Sequence, residues 1–177
     1  MAQIKLYIAC SLDGYIAREN HSLDWLNNFP NPDNSDYGYH AFIQNIDILV
    51  MGRKTYDEIM GFDVDWPYKD YKTFVLTSQS DFKVLTTETY VLNAINAPII
   101  EQLKSASSKN IWIVGGSKVI AQFINLNALD EMMIFMIPVV LGSGISLFAD
   151  KIKETPFKLI KAESYKSGAV MLSYTRK

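Results

Sequence analysis

The chain is poor in the features that mark secreted, membrane-spanning and nucleic-acid-binding proteins. It has one cysteine, Cys10, in 177 residues, so no disulfide can form within the chain, and a buried thiol in a reducing compartment is expected. The apolar run 132–141 is interrupted by Pro138 and is shorter than the roughly 18 residues of a membrane span. The formal net charge of -2 lacks the basic surplus of nucleic-acid binders. We expect a cytoplasmic protein whose partner is neither a membrane nor a nucleic acid.

Several sequence motifs of cofactor binding and catalysis are also missing. The chain contains no G-x-G-x-x-G fingerprint, no Walker A loop and no G-x-S-x-G nucleophile elbow. Its two histidines, His21 and His40, have no partner at a metal-ligand spacing, so we predict no metal site. These absences argue against the doubly wound dehydrogenases, the P-loop NTPases and the serine hydrolases of that type.

The pattern that is present is an alternation of apolar strands with amphipathic helices. This alternation predicts one α/β domain over 1–177, with a mostly parallel mixed sheet flanked by helices and a C-terminal antiparallel hairpin. The predicted strands are 4–9, 46–51, 73–77, 90–92, 110–116, 131–138, 156–165 and 170–176. The predicted helices are 21–28, 37–45, 54–60, 97–106 and 117–125.

Three strand ends carry residues that suit a phosphate group. The first strand end has Gly52 followed by two cations and a hydroxyl, at the start of a helix whose N–H groups are unpaired. The second has the hydroxyls of Thr77 and Ser78, and the third has Gly115 and Gly116 before a helix. Each is also an ordinary turn when taken alone. Because ligands in such sheets bind beyond the carboxyl ends of strands, the three together predict a nucleotide site.

Two acids and one tryptophan are the further candidates for the site. Asp13 lies in the glycine-containing loop 11–17 after the first strand, where a mobile loop can cover a ligand. Asp36 lies near a helix start, where a role as a helix cap is favoured over a catalytic one. Trp66, in the irregular loop 61–72, is the tryptophan best placed for a substrate contact. A turn or packing role remains open for all three.

Five segments together resemble the dihydrofolate reductase-like fold. They follow the family's order over nearly the whole chain and look closest to the C-terminal reductase domain of the riboflavin-biosynthesis RibD proteins. The matching segments are S-L-D-G-Y-I-A at 11–17, M-G-R-K-T-Y at 51–56, L-T-S at 76–78, V-G-G at 114–116 and P-V-V-L-G-S-G at 138–144.

The resemblance implies NADPH as the cofactor. It assigns the adenosine phosphate side to the first glycine turn and the hydroxyl-bearing strand end, the pyrophosphate to the paired glycines and the helix they open, and the nicotinamide to the first loop. The implied cofactor residues are Ala9, Ile16, Ala17, Gly52, Arg53, Lys54, Thr55, Thr77, Ser78, Val114, Gly115, Gly116, Ser117, Lys118 and Val119. Asp13 and Asp36 are the candidate catalytic acids, and Asp36 and Trp66 the candidate substrate contacts. The adjacent cations Arg53 and Lys54 favour the 2′-phosphate of NADPH over NADH.

The implied activity is reduction of a small heterocycle by hydride transfer. The riboflavin reductases act on a ribosylaminopyrimidine phosphate and are usually fused to a zinc deaminase, for which this chain has no counterpart. Dihydrofolate reduction and a non-catalytic nucleotide-binding role are the alternatives. A homodimer is also expected, from the family and from the apolar strand at 132–137, although burial of that strand within the sheet would explain the same residues.

Overall fold

The fold is built on one large mixed sheet, described by a computed structural model for residues 1–149 and 151–177. Ten strands are formed: β1 (Ile4–Ser11), β2 (Tyr15–Ala17), β3 (Ile46–Gly52), β4 (Lys72–Leu76), β5 (Thr89–Leu92), β6 (Asn110–Gly115), β7 (Glu131–Ile137), β8 (Ile145–Ser146), β9 (Phe157–Ser164) and β10 (Val170–Arg176). Eight of them pair in the order β5-β4-β3-β6-β1-β7-β10-β9, and β2 pairs with β8 in a separate antiparallel ribbon. The first six strands of this order are parallel, and β10 is antiparallel to both neighbours.

Five helices accompany the sheet: α1 (Asp24–Asn27), α2 (Tyr39–Ile43), α3 (Arg53–Met60), α4 (Ala97–Ala106) and α5 (Ser117–Asn125). Alternate strand residues point to opposite faces, which divides the core into two layers. On one face, Leu6, Ile113 and their neighbours pack with residues of α4 and α5, and we call this the α4–α5 face. On the other, Leu49 and Trp112 pack with residues of α2 and α3, and we call this the α2–α3 face.

The predicted fold class is confirmed, with differences at the element ends and in one loop. The segment 11–17 was predicted as a loop, but its last three residues form β2 and pair with β8. The helix predicted over 37–45 is shorter, because its N-cap is Gly38 in a left-handed conformation with φ of 81°. Asp36 accordingly lies two residues before that cap.

The strand at 131–137 does not lie at an edge of the sheet. β7 is hydrogen-bonded to β1 on one side and to β10 on the other, so burial accounts for its apolar residues. The edge beyond β10 is β9, where Leu159 is 50% and Ile160 is 59% exposed. Cys10 is buried as expected, and burial raises the pKa of its thiol to about 11. No helix in the described part of the chain is long and apolar enough to cross a membrane.

Candidate functional site

The three predicted anion-binding strand ends lie side by side at one edge of the sheet. β4, β3 and β6 are adjacent parallel strands, so their carboxyl ends meet. Gly52 pairs with Leu76, the residue before Thr77, and Met51 pairs with Gly115. Segments separated by up to about sixty residues in sequence therefore form one continuous row. Ligands of open α/β sheets bind beyond the carboxyl ends of the strands, so this row is the candidate dinucleotide site.

Two of the three turns touch each other through glycine. A Cβ atom at Gly52 would lie 3.3 Å from Val119 Cγ2 and 3.9 Å from the backbone nitrogen of Gly116. A Cβ atom at Gly116 would lie 3.5 Å from Thr55 Oγ1. Gly115 has a φ of 137°, a conformation that residues with side chains rarely adopt. The glycines thus allow two backbone turns to approach each other, as close contact with a pyrophosphate group also requires.

The helices that follow these turns begin without a side-chain cap. Gly52 is the N-cap of α3 and Gly116 is the N-cap of α5, and neither helix has a capping side chain or an acid in its first turn. By contrast, Asn96 caps α4 and accepts a hydrogen bond from Ile99 N at 3.0 Å. First-turn N–H groups that lack a cap carry partial positive charge and suit an anion. This donor set fits the phosphates of a nicotinamide dinucleotide at α3 and α5.

Arg53 and Lys54, at the start of α3, have partners within the protein. Arg53 Nη1 lies 2.6 Å from Asp57 Oδ2 one helical turn away, and Lys54 Nζ lies 3.3 Å from His21 Nε2. Both pairs are at least partly exposed, so each is weakly held and can rearrange around a ligand. Lys118 is exposed at the start of α5, beside the half-buried Ser117.

The remaining predicted cofactor residues lie close to this row. Thr77 is buried and its hydroxyl accepts a hydrogen bond from Gln79 N at 3.1 Å, whereas Ser78 is exposed. Val114 packs on the α2–α3 face. Ala9 lies near the carboxyl end of β1, the strand next to β6. Ile16 and Ala17 belong to β2. Direct contacts thus join Gly52, Thr55, Gly116 and Val119, and strand pairing places Thr77 and Gly115 beside them.

Asp13 is tied to a loop that is distant in sequence. Its carboxylate accepts hydrogen bonds from Ser11 Oγ at 2.6 Å, from Leu141 N at 3.1 Å and from Gly142 N at 2.7 Å. The Ser11 hydroxyl, followed by the two backbone donors, lowers the pKa of Asp13 to about 2. An acid that stays ionised at neutral pH has no proton to give. The contacts favour Asp13 as an anchor between the first loop and the loop after β7.

A cavity of about 400 Å³ opens on the α2–α3 face, where β1 and β7 end. We call it the carboxyl-end cavity. It continues the row of strand ends, because β1 is the next strand after β6. Its volume is at the lower end of the range for small-molecule sites. It is lined by the rings of Tyr7, Phe29, Tyr37 and Phe135, the aliphatic side chains of Ala9, Leu26 and Ile137, and the amides of Asn27 and Asn31.

Most polar atoms around this cavity are already hydrogen-bonded within the protein. Tyr7 donates to the carbonyl of Tyr37 at 3.1 Å, and Tyr37 donates to Ser167 Oγ at 3.1 Å. Burial, together with the nearby Tyr165, raises the pKa of Tyr7 well above its usual range, so its phenol stays neutral. Asn31 exchanges two hydrogen bonds with the backbone of Ser35, at 2.8 and 3.0 Å. The cavity wall is therefore apolar and held in a defined shape.

Asp36 and Trp66 are placed differently from each other relative to this cavity. Asp36 is next to the lining residue Tyr37, but its exposed carboxylate accepts from Gly38 N at 2.9 Å and His40 N at 3.0 Å. These two backbone donors lower its pKa. Trp66 packs between Tyr56 and Tyr68, with ring centroids 5.3 Å apart in both pairs, and is not a lining residue of the cavity.

Among the described residues no group of three metal-binding side chains occurs.

The sequence analysis missed the residues that form the cavity itself. Tyr7, Asn27, Tyr37 and Phe135 come from four separate segments and carry no motif. One signal was available in β1, where Tyr7 and Ala9 alternate with the apolar residues of the opposite face. That alternation indicates that Tyr7 and Ala9 lie on the same face of the sheet, but it does not indicate which residues pack over that face.

A second cavity of about 400 Å³ lies on the α4–α5 face. Its sheet residues, Met132, Ile134, Phe157 and Tyr174, come from the first half of β7 and from β9 and β10. We call it the amino-end cavity. Its polar side chains bond with neighbouring backbone, since Lys153 Nζ donates to the Asn125 carbonyl at 3.4 Å and Thr155 Oγ1 donates to the Lys153 carbonyl at 3.0 Å.

Comparison with known proteins identifies one family that this chain resembles over nearly its whole length. Residues 2–171 match the model of the RibD C-terminal domain. The uncharacterised protein YwjB from Bacillus subtilis is 39% identical over 171 residues, which are 97% of this chain and 96% of that protein. A putative riboflavin biosynthesis protein from Shewanella sp. PV-4 has a crystal structure with a TM-score of 0.89 and 36% identity, over 100% of this chain and 99% of that one.

A more distant likeness concerns the fold alone. Dihydrofolate reductase from Enterococcus faecalis, solved in complex with NADP(H), superposes with a TM-score of 0.67 over 99% of this chain and 96% of that one, at 18% identity. The row of glycine turns, the mostly parallel sheet and the family match over 2–171 agree with one another. The chain belongs to the RibD C-terminal domain family, with a dihydrofolate reductase-like fold.

Proposed function

We propose that this protein is an NADPH-dependent reductase of a small heterocyclic molecule. The observation that carries the proposal is the contact between two glycine turns, each opening an uncapped helix, beside an aromatic cavity. The similar structure described as a putative riboflavin biosynthesis protein, and the dihydrofolate reductase solved with NADP(H), support it.

In this proposal the protein binds and orients while the cofactor carries the electrons. When bound, the nicotinamide supplies a hydride, which is two electrons and one proton, to the carbon of a C=N or C=O bond, and becomes oxidised. A proton from solvent then completes the reduction at nitrogen or oxygen. The starts of α3 and α5 would hold the phosphate oxygens of the cofactor, and Arg53 and Lys54 would hold its 2′-phosphate. The carboxyl-end cavity holds the ring to be reduced.

The two candidate acids take positioning roles in this proposal. Asp13 has a pKa of about 2 and three hydrogen-bond donors, so it holds the first loop against the loop after β7 rather than giving a proton. Asp36 has a lowered pKa and holds the start of α2. Water is then the proton source, since solvent reaches the exposed rim of the cavity.

Titration with NADPH, followed by quenching of tryptophan fluorescence, tests the cofactor assignment. Trp25 packs with Ile137 and Leu26 in the cluster behind the carboxyl-end cavity, and it is a natural reporter. We expect saturable quenching with a dissociation constant below about 1 mM. A Trp25→Phe variant identifies the part of the signal that comes from this region. No binding up to that concentration would contradict the oxidoreductase proposal.

Two other activities are separated by simple assays. Reduction of dihydrofolate with NADPH would favour dihydrofolate reductase activity, and unchanged rates in Asp36→Asn would remove Asp36 from that mechanism. Tight NADPH binding without hydride transfer to any pyrimidine or pterin would favour a non-catalytic nucleotide-binding role.

We also propose a homodimer, on a different strand from the one suggested by the sequence. β9 is an eight-residue edge strand with unpaired backbone groups on its outer side, and Leu159 and Ile160 are half-exposed or more. A second copy pairing there would cover both. Sedimentation should show a dimer that the double variant Leu159→Lys, Ile160→Lys converts to a monomer. A wild-type monomer at high concentration would contradict this proposal.

A further inference from the structure

The carboxyl-end cavity has no charged residue in its lining. Its nine lining residues are four aromatic, three aliphatic and two amide side chains. We propose that its substrate is an unphosphorylated planar heterocycle with an adjacent ring N–H and C=O. The side-chain amide of Asn27 forms hydrogen bonds with these two groups. The inference rests on the proposed function and goes further, because it departs from the phosphorylated pyrimidine that the family resemblance implies.

A phosphate group would find no free cation at the mouth of this cavity. Arg18 donates two hydrogen bonds to the carboxylate of Asp24, at 2.7 and 3.0 Å, and Asp24 begins α1. Lys166 is paired with Asp33 at 3.1 Å. Both cations are thus paired with acids in exposed ion pairs, so a phosphate would have to displace a carboxylate to reach either. Phosphate sites in proteins are usually built from free cations or helix starts.

The start of α2, the helix that follows the lining residue Tyr37, is also occupied. Asp36 accepts hydrogen bonds from the N–H groups of Gly38 and His40, at the beginning of α2. A carboxylate thus holds the place that a phosphate would need. Arg18 and Lys166 are balanced by their acidic partners. The carboxylate of Asp36 therefore gives the residues around the cavity mouth a net negative charge. A phosphate dianion would be repelled there.

The rings that line the cavity favour a flat, uncharged ring system. Tyr7 and Phe135 lie 4.6 Å apart between ring centroids, and Tyr37 meets Phe135 edge-on at 6.1 Å. Contacts between aromatic rings in these arrangements stabilise a planar guest by stacking as well as by burial. A flexible or strongly solvated ligand would lose more on entering such a space.

Asn27, an exposed residue at the rim of the cavity, is the one polar lining residue whose side chain has no hydrogen bond within the described protein. The hydroxyls of Tyr7 and Tyr37 and the amide of Asn31 all have partners, as described above. An asparagine amide offers one acceptor and one donor group side by side. It is complementary to the adjacent N–H and C=O of a lactam-type ring, such as a uracil or a lumazine.

Direct binding of matched ligands to the NADPH-saturated protein tests this inference. The probes are lumazine, uridine and uridine 5′-phosphate, the last two differing only in the phosphate. We expect lumazine to bind with a dissociation constant below about 1 mM, and uridine to bind at least as tightly as uridine 5′-phosphate. Tighter binding of uridine 5′-phosphate than of both other probes would overturn the inference. So would failure of both unphosphorylated probes to bind.

Two neighbouring asparagines provide the variant and its control. Asn27→Leu should weaken lumazine binding about 10-fold, because a ring N–H and C=O are then left unpaired. Asn28→Leu, at an exposed asparagine that does not line the cavity, should change it by less than about 2-fold. Asn27→Lys should raise the affinity for uridine 5′-phosphate relative to uridine about 10-fold. Equal effects of the two leucine variants would overturn the role of Asn27.

Failure of this inference is distinguishable from failure of the proposed function. NADPH binding is measured first and separately. Normal NADPH binding with a preference for the phosphorylated probe leaves the reductase proposal standing and removes only the substrate class. Loss of both NADPH binding and probe binding would remove the proposed function as well.

Discussion

The two cavities have about the same volume but lie in opposite settings of the sheet. The carboxyl-end cavity is next to the glycine turns, whereas the amino-end cavity lies at the other end of the strands and on the other face. In parallel sheets, backbone turns and helix starts gather at the carboxyl ends of the strands, and ligands bind there. Position relative to these turns, rather than size, distinguishes a candidate active site from a packing gap.

Filling each cavity in turn should produce the largest difference between them. Leu26→Trp places an indole in the carboxyl-end cavity, and Ile152→Trp does the same in the amino-end cavity, both from half-buried positions. We expect the first variant to weaken lumazine binding at least about 100-fold and the second by less than about 2-fold. Binding isotherms on folded protein, checked by circular dichroism, measure this. Equal losses would show that the two cavities do not differ in function.

A glycine substitution should show that only one cavity has the cofactor beside it. In Gly52→Ala the new Cβ lies 3.3 Å from Val119 Cγ2 and pushes the two helix starts apart. We expect NADPH affinity to fall about 10-fold. Gly61→Ala is the matched control, since its Cβ also meets a neighbour at 3.3 Å, the Glu58 carbonyl, but at the end of α3 away from the turns. A comparable loss in Gly61→Ala would point to general strain instead.

Arg53→Ala should then distinguish the two nicotinamide cofactors. Loss of the guanidinium removes a partner of the 2′-phosphate, so NADPH should weaken about 5-fold or more while NADH changes by less than about 2-fold. Asp57→Ala is the control, because it releases Arg53 from its 2.6 Å ion pair and should leave NADPH binding equal or stronger. Parallel titrations with both cofactors measure the ratio. An equal loss for NADPH and NADH would reduce Arg53 to a general phosphate contact.

The smallest expected effect concerns Asp13 and the loop that borders the carboxyl-end cavity. Its pKa is lowered from 3.8 to about 2, so its contacts stabilise the fold fully above pH about 4, and this stability is lost as the pH falls toward 2. Asp13→Asn should therefore lower Tm by a few degrees at pH 7, and the difference from wild type should narrow below pH about 4. Melting curves across this range measure it.

A control for this last prediction is Asp81→Asn. Asp81 is exposed and accepts no hydrogen bond from the described residues, so its substitution should leave Tm nearly unchanged at every pH. A pH-independent difference in Asp13→Asn would mean that the carboxylate charge is not what holds the loop.

Much of the fold was predictable because its signals are local. α4 and α5 begin and end where the sequence places them, at Ala97–Ala106 and Ser117–Asn125, since Pro98 and Gly116 mark their starts. β10 also has the predicted bounds, Val170–Arg176. The short strands β2 and β8 were missed, because two or three residues carry no readable period and their pairing joins segments about 130 residues apart.

The sequence by itself determined the fold class and the glycine-led strand ends and, through the family resemblance, predicted the residues of a dinucleotide site. Those features depend on composition, period and short motifs along the chain. Only the tertiary structure decided that Asp13 holds Leu141 and Gly142, that β9 rather than β7 is the sheet edge, and that Tyr7, Asn27 and Phe135 share one cavity. The physical reason is that strand order and loop closure bring distant residues into contact, and no local pattern encodes those distances.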